Sequence, residues 1–380
     1  MTVIFFLCLG AIFLAYTNGA NDNFKGVATL YSCNAASYRR ALGLASVATL
    51  AGSISSVFLA SALIKVFSGA GVVPVDVAGS SAFVIAVACG AAWTVAIATL
   101  LGMPVSTTHG LTGAIAGAGF MAVGNNLHLS VLGQSFLAPL LLSPVIAIVL
   151  VRVLYGIVHW LSLRTGISRR TCVCVGETRV VAARRLQLNP GDGSYALAWI
   201  GDGDTPITIA TERECVEKYS GRFAGMSVQP VVDMLHHLSA AAVCFARGLN
   251  DTPKIVALLL TVKLLDIRLG TILIAAAMVA GGVINARRVA ETMSKKISRM
   301  NDGQALTANI VTAFLVIFAS KLGLPVSTTH VSVGAISGVG LANGTASTGV
   351  ISTILISWLL TLPIAAAIGA ASYALLSVIH

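Results

Sequence analysis

The residues with the most chemical content are six neighbours that occur twice. Pro104-Val-Ser-Thr-Thr-His109 recurs as Pro325-Val-Ser-Thr-Thr-His330, and the surrounding stretches 102–119 and 323–340 share 12 of 18 positions. Each copy follows a Gly-x-Pro-Val break between two apolar runs. Ser106, Thr107 and Thr108, like Ser327, Thr328 and Thr329, therefore stand where a helix begins. Hydroxyls and free backbone N–H groups at a helix start are neutral donors that suit an oxyanion, and a hydroxyl also accepts from a protonated one. Back-bonding within the helix is the ordinary role of a single Ser or Thr, but duplication of the whole hexapeptide favours binding. An unperturbed imidazole titrates close to neutral pH, so His109 and His330 are candidates to carry a proton; the structural alternative is that each fixes its hairpin by hydrogen bonding.

A second duplicated block lies upstream. Gly19-Ala-Asn-Asp-Asn-Phe-Lys25 matches Gly248-Leu-Asn-Asp-Thr-Pro-Lys254. Pro253 suits the first turn of a helix, so Asn250 or Asp251 reads as an N-cap, with the same expected of Asn21 and Asp22. The helix would then be broken at membrane depth, which is tolerated only where backbone is buried or lines a cavity. A helix N-terminus in such a cavity favours an anion. A carboxylate within a membrane is costly and marks function by default. Outside the charged central stretch the carboxylates in apolar context are Asp22, Asp251 and Asp233, the last close enough to that stretch to sit at an interface.

The elements that must position these residues are apolar helices. The chain has 380 residues, 56% hydrophobic and only 10% charged, with a mean hydropathy of +0.89. Soluble domains carry about 25% charged residues, so an ordinary cytosolic enzyme, a disordered chain and a compact nucleic-acid binder are excluded. Residues 162–228 hold 9 of the 24 Lys and Arg and 7 of the 14 Asp and Glu. The remainder has room for roughly 10 to 12 hydrophobic helices at about 20 residues per span. The net charge of +10 is then orientation information. The apolar start (residues 2–16) resembles a signal peptide but lacks a basic beginning, and it reads as a retained first helix. Within 162–228, Arg179-Val-Val-Ala-Ala and Thr205-Pro-Ile-Thr-Ile-Ala, with the turns Pro190-Gly-Asp-Gly and Gly201-Asp-Gly-Asp, predict a small, partly β, water-facing insert. Cys8, Cys89 and Cys244 read as small hydrophobes. Cys172, Cys174 and Cys215 lack the further ligands that a metal site needs, so none is expected.

The order of motifs is the same in both halves. If 82–123 is a re-entrant hairpin with Pro-Val-Ser-Thr-Thr-His at its tip, each half crosses the membrane an odd number of times and the second copy is upside down. Cytoplasmic loops are enriched in Lys and Arg. Arg39 and Arg40, then Arg164, Arg169 and Arg170, then Arg287, Arg288, Lys295, Lys296 and Arg299 place three loops on one side, and the loop at 67–81 has no basic residue. Lys263 and Arg268 fit less well. An inverted repeat with interrupted helices is the signature of many secondary transporters.

These four blocks, in this order, resemble the inorganic phosphate transporter (PiT) family. The resemblance covers both membrane halves and not the 162–228 insert. It implies an inverted-repeat carrier that moves inorganic phosphate with Na⁺ or H⁺. It also implies that Asn21, Asp22, Asn250 and Asp251 serve the ion and anion site, and that Ser106, Thr107, Thr108, Ser327, Thr328 and Thr329 hold phosphate. Some members carry sulfate. The sequence departs from the family pattern at one matched pair of positions: the motif usually ends Asn-Asp-x-x-Asn, and Lys25 and Lys254 replace the final Asn. Each Lys shares a helix face with the Asp three residues before it. Two carboxylates repel phosphate unless cations intervene, so Lys25 and Lys254 are expected to supply tethered positive charge, with H⁺ favoured over Na⁺ for coupling. Snorkelling to an interface is the alternative for a lysine near a helix end, and matching positions in two inverted copies argue against it.

The expected fold is therefore an all-α polytopic membrane protein. It is an inverted-repeat secondary transporter with broken helices, two re-entrant hairpins and a small partly β cytoplasmic insert. The expected domains are 1–161 (first membrane repeat), 162–228 (soluble insert) and 229–380 (second membrane repeat). The expected function is import of inorganic phosphate across the cell inner (cytoplasmic) membrane by cation-coupled alternating access. Asp22, Asp251, His109 and His330 are the expected ion-coupling residues, and Asn21, Asn250, Lys25 and Lys254 join the hydroxyls on the anion. The expected partners are phosphate and membrane lipids, with no nucleic acid, and with homo-oligomerisation left open. No cofactor is expected beyond the coupling ion, H⁺ or Na⁺. A sulfate permease of the same fold is the nearest rival. Phosphate can donate a hydrogen bond to Asp22 or Asp251 at neutral pH and sulfate cannot, which leans towards phosphate. An anion channel and a membrane-embedded hydrolase are the remaining alternatives. The hydrolase would need a base within reach of a serine nucleophile, which adjacent Ser106 and His109 do not establish.

Overall fold

The computed structural model describes residues 2–69, 71–165, 168–170, 186–188, 195–197, 218–220, 222–223, 226–261, 266–298 and 300–379. Cys172, Cys174, Cys215 and Lys263 lie outside them. The chain divides into two compact units, one of residues 1–158 with 234–380 and one of residues 159–233.

The larger unit is helical throughout its regular structure. Its first half runs α1 (Thr2–Asp22), a 3-10 turn (Lys25–Val27), α2 (Ala28–Ser32), α3 (Tyr38–Leu59), α4 (Ser61–Phe67), α5 (Val75–Ala78), α6 (Ser81–Leu100), α7 (Thr107–Val123), α8 (Leu129–Val131) and α9 (Ala138–Thr165). The second half runs α10 (Val228–Thr261), α11 (Ile267–Asn285), α12 (Arg287–Lys295), α13 (Asp302–Lys321), α14 (Thr328–Asn343) and α15 (Thr348–Ile379). The two halves repeat one pattern, with α1, α3, α6, α7 and α9 matched by α10, α11, α13, α14 and α15. Six helices among the described residues are long and apolar enough to cross a membrane. The outer faces of α9 and α15 expose Leu141, Val145, Val149, Leu355, Leu359 and other large apolar side chains, as a lipid solvent requires. The protein is a multipass membrane protein of inverted-repeat architecture.

Local chemistry accounts for the boundaries. Asn301 and Gln304 form a reciprocal capping box that starts α13, and Asp266 caps α11. Gly102 and Gly323 follow α6 and α13 with φ of +70° in both copies. Each reverses the chain into Pro-Val and then into α7 or α14, a conformation that residues with a Cβ rarely adopt. These are the two hairpins. Their second arms pack on the opposite repeat through small residues: a Cβ on Gly117 would lie 1.9 Å from Ala366 O of α15, and one on Gly334 2.7 Å from Pro144 O of α9. The leading helices cross over in the same way. Gly19 of α1 presses on Met278 of α11, and Gly248 of α10 presses on Thr49 of α3.

Two expectations need correction. The first Asn-Asp motif does end a helix, since α1 stops at Asp22 and a 3-10 turn holds Lys25. The second does not, because α10 continues through Asn250, Asp251 and Pro253 to Thr261. Neither motif caps a helix start. An interior proline loses one backbone hydrogen bond and crowds the preceding turn. Here Asn250, Thr252, Lys254 and Ile255 are all buried around it, and tertiary packing keeps the helix going.

The second correction concerns the insert. Its described residues contain β1 (Ser168–Arg170), β2 (Leu186–Leu188), β3 (Tyr195–Leu197), β4 (Lys218–Ser220), β5 (Arg222–Phe223) and β6 (Met226–Ser227). They pair only as β1 with β4, β2 with β3 and β5 with β6. A sheet stable by itself needs three or more strands with a hydrophobic face, and these separate pairs of two or three residues are not one. The expected partly β insert is not supported.

Candidate functional site

Both hairpin tips and both Asn-Asp motifs meet inside the larger unit. Asp22, Lys25, Arg247, Asp251 and Lys254 are each 3% exposed or less. Such groups persist away from water only when paired and hydrogen-bonded.

The two lysines share three contacts in mirror order. Lys25 Nζ donates to Asp22 Oδ1, to Val105 O at 2.7 Å and to Thr329 Oγ1 at 2.6 Å. Lys254 Nζ donates to Asp251 Oδ1 at 3.2 Å, to Val326 O at 2.9 Å and to Thr108 Oγ1 at 2.7 Å. Each ammonium thus binds its own motif's carboxylate, its own hairpin's carbonyl and the other hairpin's threonine. The tips also touch directly, with Thr329 Oγ1 donating to Val105 O at 2.9 Å and Thr108 Oγ1 to Val326 O at 3.3 Å. The carbonyls are available because the Pro-Val segments lie outside any helix ladder. Lys25 and Lys254 do not snorkel to an interface.

Asn21 and Asn250 tie each motif to its own hairpin. Asn21 Nδ2 donates to Thr99 Oγ1 and Met103 O, while its Oδ1 accepts from Val105 N at 3.1 Å and Lys25 Nζ at 2.8 Å. Asn250 Nδ2 donates to Val326 O and Asp251 Oδ1, and its Oδ1 accepts from Ser320 Oγ at 3.1 Å. Ser106 and Ser327 act as helix caps, each Oγ accepting from the backbone N–H of His109 or His330 at 3.2 Å. Thr107 and Thr328 take the first helical positions. Thr107 Oγ1 reaches Asp22 Oδ2 at 3.4 Å.

The two histidines face each other with ring centroids 4.4 Å apart and rings nearly perpendicular. His330 stacks on Trp358 at 3.8 Å, and its Nδ1 lies 3.0 Å from Leu140 O. Among the described residues neither ring hydrogen-bonds to the carboxylates or the ammonium groups. Nor does the His109 ring engage Ser106, which contacts that residue only through its backbone N–H. His330 makes one ring contact with a backbone carbonyl, whereas among the described residues neither ring nitrogen of His109 has a hydrogen-bond partner, and the pair lacks a nucleophile–base arrangement.

The repeats differ at one pair of positions that the motif reading missed. Arg247 precedes Gly248 as Asn18 precedes Gly19. Arg247 NH2 donates to Asn18 Oδ1 at 2.8 Å, and NH1 donates to Asn23 Oδ1 at 3.0 Å and Thr49 Oγ1 at 3.2 Å. Its Nε has no hydrogen-bond partner and stands 3.8 Å from Asp251 Oδ2. Asn18 Nδ2 in turn donates to Thr107 Oγ1, Asp22 Oδ2 and Asp251 Oδ2, so it bridges both carboxylates. A lone arginine in an apolar run, at the register of an asparagine in the other copy, was the available signal. Three buried cations face two buried carboxylates.

Comparisons with known proteins place the chain in a family. A solved structure described as the sodium-dependent phosphate transporter superposes over 100% of both chains with a TM-score of 0.76 at 24% identity, a likeness of fold. A Bacillus subtilis (strain 168) protein named a probable low-affinity inorganic phosphate transporter is 26% identical over all of this chain and 98% of its own length. One of the same name from Mycobacterium tuberculosis (strain ATCC 25618 / H37Rv) is 25% identical over 96% of this chain and 75% of its own. The model of the phosphate transporter family matches residues 18–369, from Asn18 at the site to the last turns of α15. The chain belongs to the phosphate transporter family, a family of transporters and not of enzymes.

Proposed function

We propose that the protein imports inorganic phosphate across the cytoplasmic (inner) membrane by alternating access. Residues 1–161 and 229–380 are its two membrane repeats, and 162–228 is a cytoplasmic insert. The observation that carries this reading is the meeting of two hairpin tips over two crossed lysine–aspartate pairs. Thr108 and Thr329 are shared between a lysine and the facing hairpin, so an oxyanion entering between the tips would replace those contacts with its own. Thr107, Thr328 and the capped helix starts behind Ser106 and Ser327 would complete its shell.

Charge balance supports one choice of coupling ion. In a site that binds mobile cations, the cations arrive and leave with the anion. Here the ammonium groups of Lys25 and Lys254 are covalently held against Asp22 and Asp251. When an ammonium turns from its carboxylate to the anion, the carboxylate needs another positive charge, because an unpaired buried ion costs several kcal/mol. A proton meets that need in the space available. H⁺ is therefore the proposed coupling ion in preference to Na⁺. A sulfate or other oxyanion permease is the second reading, favoured by Arg247, whose third buried cation supports a more highly charged anion.

The test is radiolabelled phosphate uptake into proteoliposomes with a proton gradient, a sodium gradient or neither, and with excess sulfate as competitor. Accumulation driven by the proton gradient and indifferent to sulfate is expected. Sulfate uptake without phosphate uptake would move the substrate to the second reading, and strictly sodium-driven uptake would overturn the role given to the lysines.

A further inference from the structure

A second polar cluster lies among the same helices and contains none of the residues proposed to hold the anion. Cys33 follows α2, His236 sits on α10 and Asp302 opens α13. Cys33 is 6% exposed, His236 0% and Asp302 4%. One ligand atom from each, the thiol sulfur, an imidazole nitrogen and a carboxylate oxygen, lie within 4.8 Å of one another. His236 Nδ1 is 3.1 Å from Asp302 Oδ1. Cys33 Sγ donates to Met300 O at 3.2 Å. We propose that Cys33, His236 and Asp302 form a binding site for one divalent metal ion of borderline softness, with Zn²⁺ the best fit.

The donor set selects the ion. Thiolate and imidazole together disfavour Mg²⁺ and Ca²⁺, and a mixed sulfur, nitrogen and oxygen set with few protein ligands suits Zn²⁺. Bonds of about 2.0–2.3 Å meeting at tetrahedral angles hold ligand atoms roughly 3.3–3.7 Å apart. The imidazole–carboxylate pair already has about this spacing. The sulfur must close the remaining gap, at most roughly 1.5 Å, and the single χ angle of Cys33 is the means of doing so.

The surroundings fit a metal-bound imidazole. Such a histidine donates its second N–H to an oxygen that fixes the ring. His236 Nε2 lies 3.1 Å from Thr29 Oγ1, and Thr29 Oγ1 accepts from Asn309 Nδ2 at 3.0 Å. Asn309 Nδ2 also donates to Ser239 Oγ at 3.2 Å. The outer partners are thus in place. The Cys33 thiol donates its proton to Met300 O and so carries that proton until a cation displaces it. Coordination then balances as follows. The ion bonds to Sγ, Nδ1 and a carboxylate oxygen, the thiol proton is released to solvent, and the proton between His236 and Asp302 moves to Nε2, which donates to Thr29.

Cobalt(II) is the probe, because thiolate ligation gives it a near-ultraviolet charge-transfer band. The full chain is purified in detergent with Cys172, Cys174 and Cys215 changed to Ser, so that the insert's thiols do not compete. One Co²⁺ per chain is expected, with the thiolate band present and displaced by Zn²⁺. Cys33→Ser should abolish the band. His236→Gln should weaken binding at least about tenfold, the loss that even an outer partner of a metal ligand causes. No band in the parent, or a band that survives Cys33→Ser, overturns the proposal and leaves a hydrogen-bonded cluster without metal. Should Cys33→Ser fail to fold, alkylation of Cys33 in the intact chain is followed by mass spectrometry of its peptide. Slowing by Zn²⁺ and recovery with chelator are expected, and rates indifferent to Zn²⁺ refute the site.

Discussion

The two repeats make the same lysine arm and different anchors beneath it. Lys25 and Lys254 each hold an aspartate, a tip carbonyl and a threonine from the opposite hairpin. Below them Asn18 is neutral and bridges both carboxylates, whereas Arg247 is charged and makes its close ion pair with Asp251. A two-fold site can offer the same grip to an anion from either side of the membrane. Its electrostatics need not be two-fold. Asp251 faces two cations and Asp22 faces one at close range, so the halves should respond unequally to the same substitution.

The largest expected effect breaks the comparison at the carboxylates. Asp251→Asn leaves Lys254 and Arg247 without their counter-charge, and removing one member of a buried pair costs about 3–5 kcal/mol. Asp22→Asn should cost less, because Lys25 alone loses its nearest partner. Thermal unfolding in detergent reads the difference, and equal losses would mean that Arg247 contributes nothing to holding Asp251.

Next come the lysines. Lys25→Asn and Lys254→Asn should each weaken phosphate uptake by about tenfold or more, as loss of a charge-assisted hydrogen bond of ~1.5–3 kcal/mol implies. The double variant should gain stimulation by sodium that the parent lacks. If the two single variants differ widely, the mirror contacts are not equivalent in function.

Arg247→Asn sharpens the comparison by giving both repeats the same residue. It removes the third cation along with three hydrogen bonds to Asn18, Asn23 and Thr49. Should the parent respond to sulfate, as the second reading requires, that competition falls in Arg247→Asn, because the third cation then serves a more highly charged anion. Unchanged competition would remove the support for the oxyanion-permease reading.

The hydroxyls come lower. Thr108→Val and Thr329→Val each delete one hydroxyl shared between a lysine and a carbonyl, at about 1 kcal/mol apiece, and matched losses of uptake affinity are expected. Effects of similar size belong to the hairpin turns. Gly102→Ala and Gly323→Ala impose a Cβ at positive φ for about 1 kcal/mol each. Gly323→Ala should be the worse, because its Cβ would sit 2.8 Å from Ala62 Cβ, while the nearest atom at Gly102 is 3.5 Å away.

Much of this was legible in the chain. Duplicated motifs, an apolar composition and basic loops pointed to an inverted repeat. The Ser-Thr-Thr-His blocks lie at the hairpin tips because Gly-x-Pro-Val breaks a helix in a way that local chemistry dictates. Pro253 shows the limit of that logic. It has the same propensity to interrupt a helix, yet burial on every side carries α10 through it. The strand pairs among the insert's described residues make a similar point, since two or three residues in a pair do not make a stable sheet.

Residue types and spacing thus determined which groups carry charge and hydroxyls, and that they come as two matched sets. Only the tertiary structure decided who meets whom. Thr329 reaches Lys25 and Thr108 reaches Lys254 because the hairpins cross between repeats, contacts separated by 304 and 146 residues. Arg247 joins the site, and Cys33, His236 and Asp302 converge, for the same reason. Pairing over such distances is set by helix packing, which no local pattern encodes.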